Sequence, residues 1–144
     1  MIAVDTNILV YAHRKDSPFF TQAYAVVGEL ASGSGSWAIP WPCVHEFLAI
    51  VTHPRVFKTP TPLVNACDQI DAWLASPSLH VLCEDQGVYW PTLRMGLEVG
   101  KITGPRVHDA RVAALCLTHG VSQLLTADRD FSRFQALATR NPLI

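Results

Sequence analysis

Four acids in this chain, Asp5, Glu46, Asp109 and Asp128, occupy positions where a carboxylate needs a reason. Asp5 ends the apolar run Ile2-Ala3-Val4, and Asp128 follows Leu124-Leu125-Thr126 by two residues. Glu46 has Cys43, Ala49 and Ile50 as its helical neighbours at i−3, i+3 and i+4. Those neighbours form an apolar face, where an ionised Glu is costly unless it is paired or bound to a cation. Asp109 is followed along one helical face by Val112, Ala113 and Cys116. Its place in a first helical turn also suits an anion, because the macrodipole favours one there. Taken one at a time, three of these acids have ordinary explanations. Asp5 reads as the N-cap of the next helix, Asp128 as a turn residue, and Asp109 as a charge complementing the dipole. Taken together they are expected to converge, and close carboxylates raise one another's pKa unless a cation neutralises them. Ligation by oxygen alone selects a hard ion, Mg²⁺ or Mn²⁺. Such an ion orients a phosphodiester, activates a bound water and stabilises the leaving oxygen.

The elements that must position these acids follow from the pattern of apolar residues. Ile2 to Val4, Trp37 to Pro40, Leu79 to Cys83 and Gln123 to Thr126 read as short buried strands, and a weaker signal marks a final strand near the C-terminus. Helices are predicted over Thr6 to His13, Pro18 to Ala31, Pro42 to Val51, Pro62 to Leu74, Val88 to Val99 and Arg106 to Thr118. The second starts after Ser17 as N-cap with Pro18 in its first position. Pro91 must lie in the first turn of its helix or kink it. Strands alternating with helices argue for an α/β fold with a parallel sheet covered on both faces. In such a sheet ligands bind beyond the carboxyl ends of the strands, and Asp5 and Asp128 both project from that edge.

Composition bounds the answer. The 144 residues suit a single domain, 1–144, and 49% hydrophobic against 16% charged residues requires a real core. With a net charge of −1, the protein does not grip a polyanion by bulk charge. Bound metal and local cations must serve instead, and Arg14, Lys15, Lys101, Arg106, Arg111, Arg129 and Arg133 are expected to cluster near that edge of the sheet. As a set, they are expected to hold phosphates. The four cysteines are scattered without a C-x-x-C pair, which excludes a zinc ribbon, and each lies among apolar neighbours as a small core residue would. No signal peptide or membrane span is read, and the expected location is the cytoplasm. Trp37 to Pro42 reads as core, and Trp73 with Trp90 as a partner or dimer surface. His45-Glu46-Phe47-Leu48-Ala49 begins like a zincin helix, but Ala49 stands where the second His is needed. No phosphate loop or dinucleotide fingerprint is present. Asp5-Thr6-Asn7 lacks the second Asp of a haloacid-dehalogenase-type phosphatase.

The segments around the four acids resemble the four motifs of the PIN domain, and in particular of VapC-type toxins from bacterial toxin–antitoxin pairs. They are Ile2-Ala3-Val4-Asp5-Thr6-Asn7-Ile8-Leu9, Val44-His45-Glu46-Phe47, His108-Asp109-Ala110-Arg111-Val112-Ala113-Ala114 and Leu125-Thr126-Ala127-Asp128-Arg129-Asp130-Phe131. The resemblance implies a three-layer α/β/α sandwich with a central, mostly parallel sheet. It implies a Mg²⁺-dependent endoribonuclease (Mn²⁺ being the alternative) that is inhibited by a cognate antitoxin, with 3′-hydroxyl and 5′-phosphate products. The RNA would be a tRNA, rRNA or mRNA, and the assembly a homodimer. Asp5, Glu46, Asp109 and Asp128 would be the catalytic quartet, and Asp5, Asp109 and Asp128 the metal ligands. Asn7, Thr126 and Asp130 would support them, and Arg14, Lys15, Arg106, Arg111 and Arg129 would contact RNA phosphates. Two other readings fit the same residues: a PIN-type nuclease of housekeeping RNA maturation or decay, and a module that binds antitoxin or RNA without turnover.

Overall fold

The computed structural model describes residues 1–85 and 87–144. In chain order the elements are β1 (Ile2–Val4), α1 (Thr6–His13), α2 (Phe20–Ser32), β2 (Trp37–Pro40), α3 (Trp41–Val51), α4 (Leu63–Leu74), β3 (Leu79–Leu82), α5 (Tyr89–Gly100), α6 (Val107–Thr118), β4 (Gln123–Leu125) and β5 (Thr139–Arg140). Two 3₁₀ turns, Gly104–Arg106 and Arg129–Arg133, precede α6 and follow β4. Every strand pairing is parallel, in the order β3-β2-β1-β4-β5. This is the expected α/β/α sandwich. Helices α1 to α4 pack among themselves, while α5 packs on α6, which also touches α3. Right-handed crossovers require that division, because the chain reverses its direction of travel across the sheet between β3 and β4.

The strands are short and apolar because the sheet is covered on both faces. Ala3, Val4, Trp37, Ala38, Ile39, Leu124 and Leu125 are essentially inaccessible to water. They meet Ile8, Leu9, Phe47, Val51, Leu115 and Cys116 from the helices. Trp37 is core, as its strand setting requires, whereas Trp41 opens α3 and is 36% exposed. Trp73 is 7% exposed and packs edge-on against Phe47, so of the two tryptophans expected on a partner surface only Trp90 is free. Cys43 and Cys116 are buried, but Cys67 and Cys83 are exposed, which corrects the expectation that all four are core residues. Among the described residues no helix is long and apolar enough to cross a membrane.

The helix starts agree with expectation to within one residue except that of α2. Helix α2 begins at Phe20 and not at Pro18, because the Ser17 hydroxyl accepts the Phe19 N–H and the Ser17 carbonyl accepts the Phe20 N–H. Pro18 therefore sits inside a turn, which suits its fixed φ as well as a first helical position does. Helix α6 is preceded by a 3₁₀ turn in which Gly104 has φ +65°, a conformation that favours glycine. That turn directs the first residues of α6 toward the carboxyl edge of the sheet. Pro91 lies in the first turn of α5, which runs on to Gly100.

Candidate active site

The site forms where the strand order reverses. Strands β1 and β4 are adjacent, with Val4 opposite Leu125, so the next residues of each strand, Asp5 and Thr126, meet at the carboxyl edge. The Asp5 N–H donates to the Leu125 carbonyl at 3.0 Å, which continues the ladder by one bond. Its side chain then turns to cap α1, with Oδ1 accepting the Thr6 N–H at 2.8 Å. The N-cap reading of Asp5 is therefore correct, and it is compatible with a site role because the cap uses only one carboxylate oxygen. Oδ2 accepts the Thr126 hydroxyl at 2.7 Å and the Asn7 amide at 3.2 Å, while the Cys43 thiol approaches Oδ1 at 3.6 Å.

Asp5 is only 6% exposed. Burial pushes its pKa up to about 6, the donated hydrogen bonds offset part of that rise, and the charge of Glu46 adds to it. Thr126 is the hub of the arrangement. Its hydroxyl donates to Asp5 and accepts the Asp128 N–H at 3.0 Å. The Asn7 amide oxygen accepts the Ala127 N–H at 3.1 Å. Asn7 and Thr126 thus tie the start of α1 to the loop after β4.

Asp109, Asp128 and Asp130 form the tightest group of acids among the described residues, each offering an oxygen within 4.8 Å of the others. Asp109 lies in the first turn of α6. Its pKa is raised by desolvation and then by the charges of Asp128, Asp130 and Glu46. Asp128 accepts the Asp130 N–H at 2.8 Å and so caps the 3₁₀ turn that brings Asp130 back beside it. Asp130 was expected only as support; its carboxylate stands in the group itself, with Arg106 3.8 Å away. Asp5 is buried and is linked to that group through the Thr126 hydroxyl, which also holds the Asp128 N–H. The donors are all carboxylate oxygens, and their mutual repulsion raises the pKa of Asp109. Both facts fit a hard divalent cation.

Glu46 departs from its expected surroundings. The residue is exposed, and its Oε2 accepts the Thr6 hydroxyl at 3.1 Å. The buried face of α3 is formed by Cys43, Val44, Phe47 and Val51. Ala49 and Ile50 flank Glu46 on a second apolar stripe, part of which lines an open groove of about 550 Å³. The groove runs between α3 and the start of α6, with Glu46 and Asp109 on its walls beside His45, His108 and Arg111. Arg111 also pairs with Glu84 at 2.9 Å.

The other basic residues divide. Arg106 and Arg129 flank the acids, Arg129 being exposed. Arg14 is not brought to the groove. It lies at the far end of α1, where it pairs with Asp16 at 2.6 Å, donates to the Thr59 carbonyl and covers the Phe57 ring at 4.0 Å. Lys15 beside it shares that remote setting. Two contributors were not singled out from the sequence. Thr6 links Glu46 to the end of β1, and the Cys43 thiol faces Asp5. The only signal for Cys43 was its position three residues before Glu46.

A parallel sheet with acids gathered at its switch point defines a class, and comparison with known proteins gives its family. The chain belongs to the PIN-domain family, whose pattern matches residues 2–137. It is 34% identical over 143 residues to ribonuclease VapC43 of Mycobacterium tuberculosis, covering 99% of this chain and 96% of that protein. It is 31% identical over 138 residues to ribonuclease VapC48 of the same organism, covering 96% and 94%. Among solved structures, VapBC2 from Rickettsia felis, bound to a promoter DNA fragment, superposes with a TM-score of 0.68 at 24% identity, covering 98% of each chain. Mycobacterium tuberculosis VapC20, a sarcin–ricin loop cleaving toxin, gives 0.63 at 17% identity, covering 92% and 93%. These two structures share the fold, and the two ribonucleases carry the closer likeness in sequence.

Proposed function

We propose that this chain is the toxin of a type II toxin–antitoxin pair and acts as an endoribonuclease that hydrolyses RNA phosphodiester bonds with the help of Mg²⁺. The observation that carries the reading is the group Asp109, Asp128 and Asp130, linked to the buried Asp5 through Thr126, with Asp109 on the wall of an open groove beside Glu46. Asp5, Asp109 and Asp128 would hold the ion, with Asp130 beside them. Mn²⁺ has the same preference for oxygen and is the alternative cation. When bound, the ion polarises the phosphodiester and lowers the pKa of a water molecule.

The protein's own groups do the positioning. Thr126 and Asn7 fix the Asp5 carboxylate, and the Asp128 cap fixes the 3₁₀ turn. Glu46, exposed at the groove wall and held by the Thr6 hydroxyl, orients the attacking water and accepts its proton. Arg106, Arg111 and Arg129 would contact the flanking phosphates.

A cognate antitoxin would cover the apolar surface between α2 and α4. There Tyr24, Leu63 and Val64 are each more than 60% exposed beside a cleft lined by Ala12, Val27 and Trp73. The relatives solved as VapBC complexes support such a partner. A homodimer and a cytoplasmic site of action complete the proposal. The test is hydrolysis of RNA by the purified chain with Mg²⁺ present. Activity is expected to stop in EDTA and in Asp109→Asn. RNA cleavage by Asp5→Asn and Asp109→Asn at the wild-type rate would overturn the assignment.

A further inference from the structure

Helix α3 opens with an exposed aromatic pair beside the acids. Trp41 is its first residue, and His45 follows one turn later on the same side. The two rings lie nearly parallel, 22° apart, with centroids separated by 6.2 Å. His45 lines the groove that holds Glu46 and Asp109, as does Pro42, and Trp41 adjoins both: it precedes Pro42 in the chain and its ring stacks on His45. The core does not use this indole: Trp37 and Trp73 are buried, whereas Trp41 is 36% exposed. Along the helix axis, Trp41 precedes Glu46 by about 7.5 Å. A nucleotide beside a phosphate held at the acids could reach that distance. Arg111, on the same groove, supplies a cation for the intervening backbone.

We propose that Trp41 and His45 form a stacking platform for an unpaired nucleobase adjacent to the scissile phosphate; this rests on the ribonuclease reading given above. Every base has a π-face, so an indole at this position selects for single-stranded RNA over duplex rather than for one base. A duplex keeps its bases stacked on one another and cannot present one to the ring. The platform thereby restricts cleavage to loops and other unpaired segments.

The test uses Asp109→Asn as a background, so that the strand is not cut, together with Trp90→Phe, so that Trp41 is the remaining exposed indole. A short unpaired RNA is expected to quench Trp41 emission, and the matching abasic sugar–phosphate strand is expected to leave it unchanged. Trp41→Leu keeps apolar area but removes the π-face, and should weaken RNA binding about tenfold. The same change should leave binding of the abasic strand unaltered. Trp41→Phe should retain affinity within about threefold. The platform is overturned if Trp41→Leu binds RNA as tightly as its parent, or if RNA leaves the parent's emission unchanged. If the otherwise unaltered chain cleaves RNA normally in either case, the platform alone fails. If that chain with Mg²⁺ neither binds nor cuts RNA, the ribonuclease reading fails first and the platform falls with it.

Discussion

The Thr126 hydroxyl donates to Asp5 Oδ2 at 2.7 Å, joining residues 121 positions apart at the carboxyl ends of two adjacent parallel strands. The same oxygen accepts the Asp128 N–H, so one side chain sets both the buried acid and the start of the acidic loop. Thr126→Val keeps the shape and removes the donor. A buried carboxylate without its shortest partner costs about 1–3 kcal/mol, and urea denaturation should show a loss of that size. Thr126→Ser restores the hydroxyl and should recover most of the stability. Nuclease activity should fall in the valine variant by more than stability alone explains, because Asp128 loses its anchor as well.

Asp5 makes stability depend on pH with a definite sign. Burial raises its pKa from an ordinary 3.8 to about 6, so the folded protein without metal holds that proton more tightly than the unfolded chain. The stabilising contribution is therefore complete below about pH 4 and is lost as pH rises through about 6. The gap corresponds to about 3 kcal/mol. Chemical denaturation in EDTA between pH 4 and pH 7 should show this decline. It should be smaller in Asp5→Asn, where only the raised pKa of Asp109 still contributes, and Mg²⁺ should flatten it in the parent by favouring the ionised forms.

Repulsion among Asp109, Asp128 and Asp130 is relieved either by a cation or by removing a charge. Asp109→Asn should therefore raise the stability of the chelated protein, by about 0.5–2 kcal/mol, while it abolishes activity. The parent should gain stability on addition of Mg²⁺, by about 2.7 kcal/mol when the ion is at 100 times its Kd. The variant should gain far less. Thermal melts with and without the ion give both numbers. An equal gain in both proteins would place the ion elsewhere.

Much of this was legible in the sequence, for physical reasons that also mark where reading stops. Short apolar runs ending in an acid located β1 and Asp5, and β4 and Asp128, because a doubly covered sheet needs apolar strands and presents its polar residues at the strand ends. Glu46 was found for a reason the structure corrects. Neighbours three and four residues apart define a face, but small apolar residues on it line a groove as readily as they fill a core. Ala49 and Ile50 flank the acid there, while Phe47 and Val51 do the packing. The place of Asp130 in the acidic group depends on a 3₁₀ turn of five residues with no periodic signal. Arg14 is expected among the phosphate contacts at the carboxyl edge of the sheet. Eight helical residues, about 12 Å of axis, carry it away from the site to brace the loop at Thr59.

Arg111 reports whether RNA follows the groove. It pairs with Glu84 at the surface, where such a pair contributes little to folding. Arg111→Ala should leave the melting temperature nearly unchanged. Binding of unpaired RNA in the Asp109→Asn background should weaken, and the slope of log affinity against log salt should fall by about 1. An unchanged slope would remove Arg111 from the phosphate path.

Glu46→Gln separates chemistry from architecture most sharply. The side chain is exposed, makes no ion pair among the described residues, and is held by one hydrogen bond from the Thr6 hydroxyl. Gln retains an oxygen that can accept that bond, so the change should alter folding stability by no more than about 0.5 kcal/mol. Asp109, Asp128 and Asp130 are untouched, so stabilisation by Mg²⁺ should persist, in contrast to Asp109→Asn. What Gln cannot do is take a proton from the attacking water. Turnover should therefore drop by about 10²-fold or more, with RNA affinity preserved. Single-turnover cleavage adds a readout that a structural role would not move: the chemical step should slow in the variant while RNA binding stays at the parental strength. If Glu46→Gln cleaves at the parental rate, the proton goes elsewhere, and Asp130 is the acid to examine next.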